Sequence, residues 1–160
     1  MLELSVRPMT EDEFDQWRAT AVRKFAEEQI AAGVWSSAEA LDLASASNAE
    51  LLPAGFATPG MVFLTAVGPD GSRVGVAWIG LVHPRGTADC AFLYEIEIEE
   101  TRRGAGLGRA LLTEAEKTVR AHGLAGLELN VLGDNTRAIH LYRSAGYTVT
   151  TQRMRKNLPH

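Results

Sequence analysis

An α/β fold with a mixed sheet is the fold class that this sequence predicts, on three observations. The chain has 160 residues, the usual size of one domain, so residues 1–160 are expected to form a single domain. Apolar residues make up 46% and charged residues 22%, which is typical of globular proteins. Along the chain, the spacing of apolar residues switches between the periods of strands and helices. The predicted order of elements is β-α-α-β-β-β-α-β-α-β, in which hairpins precede a parallel step.

The first half of the chain predicts one strand and two helices. Apolar and polar residues alternate over residues 2–6, the period of a half-buried strand, and Pro8 ends it. Each helix is predicted to begin with a capping box, in which a serine or threonine precedes a glutamate by three residues. These boxes begin at Thr10 and Ser36, and they predict helices that reach about residues 32 and 51.

The second half predicts a run of strands and then alternating strands and helices. Turn-forming glycines and prolines separate the strands, and apolar steps of four residues mark the helices. The predicted strands cover residues 61–67, 74–83, 90–98 and 124–132, the helices cover 106–122 and 135–145, and one or two closing strands follow from Tyr147.

Charge and composition exclude some classes of function. A net charge of −4 gives no strongly basic surface, so nucleic acid is not expected as a partner. Cys90 is the sole cysteine, which favours a reducing compartment. The N-terminus lacks the pattern of a signal peptide, and the longest apolar run, residues 74–82, is too short to span a bilayer. We therefore expect a cytoplasmic protein that does not bind membranes.

A glycine-rich segment is the clearest candidate for ligand binding. Gly104, Gly106 and Gly108 lie between a predicted strand and a predicted helix, flanked by Arg103 and Arg109. Backbone amides at a helix start attract phosphate, and glycines permit close approach. A simple turn that starts the helix is the alternative. The motifs of nucleotide-binding P-loops and of dinucleotide-binding folds do not fit the spacing.

Two ordered motifs identify a family resemblance. Arg103-x-x-Gly106-x-Gly108 resembles the loop consensus of the GNAT-type N-acetyltransferases. Downstream, the segment from Asn135 to Tyr142, followed by Gly146 and then a tyrosine, resembles a second signature of that family. The motifs cover about residues 90–150, and the element order agrees over the whole chain. The resemblance implies a GNAT fold and acetyl-CoA as co-substrate. No metal is expected, because the histidines lack metal-ligand spacing.

The resemblance also implies which residues bind the cofactor. Main-chain groups of Ile96 and Ile98 are expected to bond the pantetheine arm like an added strand. Asn135 is expected to contact the same arm, although as the start of a helix it could equally serve as a cap. The pyrophosphate is assigned to the glycine loop, which consists of Arg103, Gly104, Ala105, Gly106, Leu107, Gly108 and Arg109.

Three residues are the candidates for catalysis. Tyr142 matches the family's proton donor to the departing thiolate, and packing on its helix is the alternative role. Glu95 and Glu97 alternate on one side of a strand next to the expected acetyl group, so either can serve as the base for the amine. We rank Glu95 first. Salt bridges are the alternative role of these acids, and the base can also be water.

Some questions stay open at the level of sequence. A GNAT-like domain that only binds acyl-CoA, as a sensor or partner module, is the main alternative to an enzyme, and an unrelated phosphate-binding α/β enzyme is a second. The four histidines show no metal-ligand spacing, and Cys90 has no partner pattern of a nucleophile. The acceptor is expected to be a small-molecule or peptide amine of unknown identity. A homodimer and an acyl chain longer than acetyl remain open.

Overall fold

The first long helix, α1 (Glu11–Ala31), begins at the predicted capping box. In the computed structural model, which describes residues 3–160, the Thr10 hydroxyl accepts from the Glu13 amide at 3.1 Å. The Glu13 carboxylate in turn accepts from the Thr10 amide at 2.9 Å and pairs with Arg7 at 2.7 Å. These bonds, that with Arg7 foremost, lower the pKa of Glu13 to about 2. The box is therefore formed as the sequence predicts.

The second helix, α2 (Ala40–Leu51), begins later than predicted and without a capping box. Its N-cap is Glu39, whose backbone is already helical, and no side chain caps it. The main-chain carbonyl of Ser36 instead accepts hydrogen bonds from the amides of Glu39 and Ala40, at 3.2 and 3.0 Å. A capping serine needs an extended backbone directly before the helix, and here a turn intervenes.

Five strands form one mixed sheet in the order β1-β2-β3-β4-β5. The first four are antiparallel neighbours, and β5 lies parallel to β4, which confirms the predicted hairpins and parallel step. Leu2 of the predicted first strand lies outside the described residues. The strands are β1 (Ser5–Pro8), β2 (Met61–Val67), β3 (Arg73–Gly80), β4 (Cys90–Ile98) and β5 (Gly126–Leu129), and the later helices are α3 (Leu107–Ala121) and α4 (Thr136–Ser144).

Helices cover both faces of the sheet, which confirms the α/β class. On one face, Leu111, Leu112 and Val119 of α3 pack against apolar residues of the central strands. On the other face lies an aromatic cluster in which α1 meets β2 and β3. Its rings are those of Phe14, Trp17, Phe63 and Trp78, with centroids 4.9 to 6.1 Å apart. None of the helices in the described chain combines the length and apolar character needed to cross a bilayer.

Two strands are shorter than the sequence predicts. The strand expected over residues 74–83 ends at Gly80, and His83 then forms part of a turn in which its ring nitrogen Nδ1 accepts from the Arg85 amide. The strand expected over residues 124–132 covers only Gly126–Leu129, because its ladder with β4 ends at Leu93.

The prediction of one or two closing strands from Tyr147 is wrong for the described chain. Residues 147–160 form no strand, and every residue from Thr148 onward is exposed. The run Thr148-Val149-Thr150-Thr151 has high strand propensity, which explains the prediction. Its apolar residues Val149, Met154 and Leu158 are spaced by five and four residues, so they cannot line one face of a strand.

Candidate active site

A cleft of about 580 Å³ lies between the α1–α2 pair on one side and β4, the end of β5 and α4 on the other. Four of the predicted site residues line it: Glu95, Ile96, Asn135 and Tyr142. The other predicted site residues do not line this cleft and lie along the end of β4 and the start of α3; they are Glu97, Ile98, Arg103, Gly104, Ala105, Gly106, Leu107, Gly108 and Arg109.

The strand β4 presents an open edge beside the cleft. In the register with β3, Glu95 pairs with Trp78, and Leu93 pairs with the residue that directly follows Trp78. Tyr94, between Leu93 and Glu95, therefore has no partner on β3 and forms a bulge. On the opposite edge, β5 pairs with β4 only as far as Leu93. Within residues 3–160, the main chain of β4 from residue 94 to 98 therefore has no strand partner on that edge. Such an edge can accept an extended ligand as an added strand.

Glu95 occupies a desolvated position next to the aromatic cluster. The indole Nε1 of Trp17 donates to its carboxyl oxygen at 3.1 Å. Burial, more than any other cause, and the neighbouring Glu97 carboxyl raise the pKa of Glu95 to about 7. The positive charge of Lys24 and the bond from Trp17 act in the opposite direction. A carboxyl group with such a pKa can accept a proton near neutral pH.

Glu97 lies two residues further along β4 in a different environment. The Nζ of Lys24 lies 3.1 Å from one of its oxygens, and a guanidinium nitrogen of Arg103 lies 3.6 Å from the other. Its side chain is 27% exposed, so both ion pairs are partly solvated. The alternative role considered for the two acids, that of salt bridges, therefore applies to Glu97, whereas Glu95 forms none in the described chain.

Tyr142 both packs in the core and faces the cleft. Its ring meets that of Tyr147 edge to face, with centroids 5.8 Å apart, and it packs against the cluster on the α3 face of the sheet. Burial raises the pKa of its phenol, which therefore stays protonated at neutral pH. Within residues 3–160 the hydroxyl group has no hydrogen-bond partner, so the proton is available to a ligand in the cleft.

The start of α3 differs from the starts of α1 and α4. The Thr10 box caps α1, and the Asn135 side chain caps α4 by accepting from the Ala138 amide at 3.2 Å. The N-cap of α3 is Gly106, whose φ of +77° lies in the left-handed region and which has no capping side chain. No protein group of the described chain accepts from the six successive amides of residues 104–109. Unpaired amides at a helix start are the physical basis of a phosphate site.

The two flanking arginines have contacts within the protein. Arg103 folds back on β4, where its Nε donates to the Ile98 carbonyl at 3.0 Å. Arg109 binds the hydroxyl of Ser144 at the end of α4. Both side chains are thus oriented by the fold, and Asn135 has the capping role that the sequence allowed.

Several residues of the cleft belong to no motif of the sequence. Trp17 has the helical spacing of a core residue, but its bond to Glu95 joins positions 78 residues apart. Lys24, Phe25 and Glu28 line the cleft from α1, and burial raises the pKa of Glu28. Positions on one helix face indicate burial, but they do not indicate which polar group lies opposite. Only the packing of α1 on β4 brings these residues into the site.

A second cluster, which the sequence spacing did not predict, joins His83, Cys90 and Glu128, whose ligand-type atoms lie within 4.8 Å of one another. In the buried His83 ring, Nδ1 accepts a hydrogen bond from the Arg85 amide at 3.0 Å, so the proton of the imidazole lies on Nε2. A metal ligand needs a free electron pair on Nε2 instead. The Glu128 carboxylate is also paired with Arg85 at 2.5 Å, and burial raises the pKa of the Cys90 thiol. This arrangement opposes both metal binding and thiol reactivity.

Comparison with known proteins agrees with this geometry and defines the class. The family model described as the acetyltransferase (GNAT) family matches residues 11–147. The match spans most of the chain, including the cleft, the open edge of β4 and the uncapped start of α3. The chain therefore belongs to the GNAT family of acetyltransferases.

Individual relatives extend over the whole chain. The uncharacterized N-acetyltransferase YdgE of Bacillus subtilis is 31% identical over 159 residues, which cover 98% of this chain and 99% of YdgE. The uncharacterized N-acetyltransferase YycN from the same species has a crystal structure that matches this chain with a TM-score of 0.92 at 29% identity, over 99% of this chain and 100% of YycN. The PaiA N-acetyltransferase of Thermoplasma acidophilum, solved in complex with coenzyme A, shares the fold with a TM-score of 0.67 at 19% identity, over 94% of this chain and 93% of PaiA.

Proposed function

We propose that the protein transfers the acetyl group of acetyl-CoA to a primary amine, by direct attack of the amine on the thioester in a ternary complex. One observation carries the proposal: a half-buried carboxyl group with a pKa of about 7 and a protonated phenol line the same cleft, next to the open edge of β4. Membership of the GNAT family supports acetyl transfer in general.

Acetyl-CoA binding is assigned to the end of β4 and the start of α3. The six unpaired amides of residues 104–109 bind the pyrophosphate, assisted by the positive end of the α3 dipole and by Arg103 and Arg109. The pantetheine arm lies along the open edge of β4, where main-chain groups of Ile96 and Ile98 bond it. The capping residue Asn135 borders the arm from the far wall of the cleft.

Glu95 is the proposed base for the acceptor. An alkyl ammonium group with a pKa near 10.4 is only roughly 0.04% neutral at pH 7, and the neutral form alone is nucleophilic. Glu95 takes a proton from the amine, directly or through water, which typically accelerates such a step by about 10²–10⁴. The ion-paired Glu97 is the second choice, and its negative charge favours the proton on Glu95.

Bond changes in the proposed reaction balance with these two groups. The amine nitrogen forms a bond to the acetyl carbon, and main-chain donors of β4 stabilise the oxyanion that results. The bond from carbon to sulfur then breaks, and Tyr142 donates its proton to the leaving thiolate. The products are the acetylated amine, coenzyme A and one proton. The proton taken by Glu95 passes to solvent, and the second proton, which leaves the nitrogen as the amide forms, replaces that of Tyr142 through solvent.

The coenzyme site is tested by calorimetric titration with acetyl-CoA, coenzyme A and NADH. We expect saturable binding of both CoA species and none of NADH. Gly106→Ala should weaken coenzyme A binding about tenfold or more, because an alanine resists the left-handed backbone that exposes the amides. Gly86→Ala is the matched control, since Gly86 has the same φ of +77° but lies in the β3–β4 loop. Failure of the protein to bind coenzyme A would contradict the proposal.

Turnover is tested by thiol release with a panel of amines. Tyr142→Phe should lower kcat by about 10²-fold and leave the affinity for acetyl-CoA unchanged, because the phenol acts only as the thiolate leaves. Tyr147→Phe is the control: this second tyrosine contacts Tyr142 but donates to Glu116 at 2.7 Å, away from the cleft. Equal losses of kcat in the two variants would show that Tyr142 is only a packing residue. Coenzyme binding without turnover of any amine would favour the binding-module alternative.

A further inference from the structure

Asn48 is the polar member of the buried face of α2. The buried residues of this helix follow one another at intervals of four, and they are Ala40, Ala44 and Asn48. The two alanines pack with Ala26 of α1, whereas Asn48 carries an amide group and is only 8% exposed. Asparagine has a low helix propensity, and burial of an amide costs free energy unless the amide is hydrogen-bonded. Helix packing by itself therefore does not account for an amide at this position.

Arg18 fixes the direction in which the Asn48 amide points. Its guanidinium Nε donates to the side-chain Oδ1 of Asn48 at 2.7 Å, and its guanidinium carbon lies 5.7 Å from the centre of the Phe14 ring. A guanidinium group donates hydrogen bonds but cannot accept them, so the amide atom that faces Arg18 is the oxygen. The Nδ2 amino group is therefore directed away from Arg18. A bond from a charged donor also polarises the amide, which strengthens its N–H groups as donors.

The amino group of Asn48 has no protein partner in the described chain. Asn48 lines the cleft from α2, and over residues 3–160 its Nδ2 donates to no other group. The buried polar atoms that are both unpaired and sealed from solvent within these residues are the Thr65 hydroxyl and Nε2 of His83, so Nδ2 of Asn48 is not among them. Its N–H groups therefore face the open volume of the cleft, where a bound molecule can accept from them.

Neighbouring residues of α1 hold Asn48 and Glu95 in one cleft. Trp17 donates to the Glu95 carboxyl group at 3.1 Å, and Arg18 donates to Asn48. Both Glu95 and Asn48 line the cavity of about 580 Å³. A molecule whose amine reaches the carboxyl group of Glu95 therefore shares its cavity with a free hydrogen-bond donor.

The charges of the cleft favour an uncharged oxygen as the group that this donor binds. Four charged residues of the described chain line the cleft, three acids and one cation: Glu28, Glu95, Asp134 and Lys24. The cation is already paired, because the Nζ of Lys24 lies 3.1 Å from a carboxylate oxygen of Glu97. A carboxylate on the bound molecule would lie among these acids and be repelled, whereas an amide carbonyl carries no net charge.

We propose that Asn48 selects acceptors whose amine lies near an uncharged carbonyl group, as in an α-amino amide or at the N-terminus of a peptide. The inference rests on the proposed function, since it takes the cleft to hold the amine. Nδ2 of Asn48 donates to the carbonyl oxygen while Glu95 takes the proton of the amine. A site with a buried donor discriminates against molecules that lack the matching acceptor, because the donor is then left unpaired.

The kinetic test compares three acceptors that share one apolar side chain: leucinamide, leucine and 3-methylbutylamine. An apolar side chain suits the site because Leu51, one turn after Asn48 on α2, also lines the cleft. Leucinamide has an uncharged carbonyl group, leucine has a carboxylate, and 3-methylbutylamine has neither. Asn48→Leu should lower kcat/KM about tenfold or more for leucinamide, but less than about threefold for 3-methylbutylamine. Each amine is compared with itself in the two proteins, so differences in amine basicity cancel.

Further variants separate recognition of the carbonyl group from packing. Asn48→Asp keeps an oxygen for Arg18 but replaces the amino group with a second oxygen, so it should lose leucinamide as strongly as Asn48→Leu does. Arg18→Met keeps the apolar contact with Phe14 but releases the amide, and it should reduce the ratio of kcat/KM for leucinamide to that for 3-methylbutylamine. Arg23→Met, at an exposed arginine of the same helix, is the matched control and should leave this ratio unchanged.

Equal losses for all three acceptors in Asn48→Leu would overturn the inference, because Asn48 would then act on the acetyl donor or on packing. So would a preference for leucinamide that survives this substitution. Leucylglycinamide, assayed beside leucinamide, distinguishes the two sources of the carbonyl group: a higher kcat/KM for the dipeptide amide indicates a peptide N-terminus, and a lower one indicates a small amino amide.

A binding measurement distinguishes failure of this inference from failure of the proposed function. Leucinamide is titrated by calorimetry into the chain saturated with coenzyme A, a complex that holds no acetyl group and cannot turn over. We expect saturable binding to the unaltered chain and binding about tenfold weaker or more to Asn48→Leu. Such binding without acetylation of any amine would contradict the proposed function alone. No binding of leucinamide, or equal binding by the two chains, would overturn the inference.

Discussion

Glu95 and Glu97 lie two residues apart on one strand, yet their surroundings differ. The region around Glu95 is closed by the aromatic cluster of α1, and an indole N–H is the side-chain donor to its carboxyl group. The region around Glu97 is open towards the glycine loop, and two cations approach its carboxylate. The chemistry of an acid on a strand therefore depends on what packs over it. Both residues have the same side chain, but burial raises the pKa of Glu95, so that this carboxyl group can exchange a proton near neutral pH.

The largest expected effect separates the two acids by activity. Glu95→Gln should lower kcat/KM by about 10²–10⁴ at pH 8, because the amide cannot accept a proton from the amine. Glu97→Gln, the matched control on the same strand, should lose less than about tenfold. The measurement is thiol release with the best amine of the panel, together with calorimetry to show that both variants bind acetyl-CoA. Similar losses of kcat/KM in both variants would show that the two carboxyl groups do not differ in their contribution to activity.

The second prediction concerns stability and needs no acceptor. Glu95 has a pKa of about 7 in the folded protein, raised from 4.5, so between these values the folded chain binds more protons than the unfolded chain. The free energy of unfolding should therefore fall as pH rises from about 4.5 to 7, by at most about 3 kcal/mol. Urea unfolding at a series of pH values measures this slope, and Glu95→Gln should flatten it. An unchanged slope in the variant would mean that Glu95 is not the group responsible.

A smaller effect is expected from the indole above Glu95. Trp17→Phe keeps an aromatic ring in the cluster but removes the hydrogen bond that favours the carboxylate. The pKa of Glu95 should rise, and the acidic limb of the pH profile of kcat/KM should move to higher pH. Trp78→Phe is the control, because Trp78 is equally buried and its indole donates to the Met61 sulfur instead. An acidic limb that stays fixed in Trp17→Phe would contradict the assignment of Glu95 as the base.

The smallest expected effect is a shift of the acidic limb of the pH profile in the direction opposite to that of Trp17→Phe. Glu97→Gln removes a negative charge that raises the pKa of Glu95. The acidic limb should therefore move to lower pH, by less than one unit, while the maximal rate changes little. The pH profile of kcat/KM, recorded beside that of Trp17→Phe, gives both shifts in one experiment. A shift of the Glu97 variant to higher pH would show that the two carboxyl groups are not coupled in the way described.

The sequence predicts best where structure is local. The capping box at Thr10, the bounds of β2 and β4, and the helix that follows the glycine loop all depend on residues a few positions apart, and the structure confirms them. The prediction of a second capping box, at Ser36, is wrong because a turn intervenes before α2. The prediction of a closing strand is wrong for the described chain, because a segment with strand propensity still needs a partner strand.

By itself, the sequence determined the class of the protein: the α/β order, the glycine loop and the motif that ends in Tyr142, which together point to the GNAT family. Tertiary structure alone decided that desolvation raises the pKa of Glu95, that Trp17 donates to it, and that β4 leaves an edge open beside the cleft. It also joined His83, Cys90 and Glu128 into a cluster with no pattern in the sequence. The physical reason is that helix caps and glycine turns act over a few residues, whereas desolvation and ion pairing depend on groups that only the folded chain brings together.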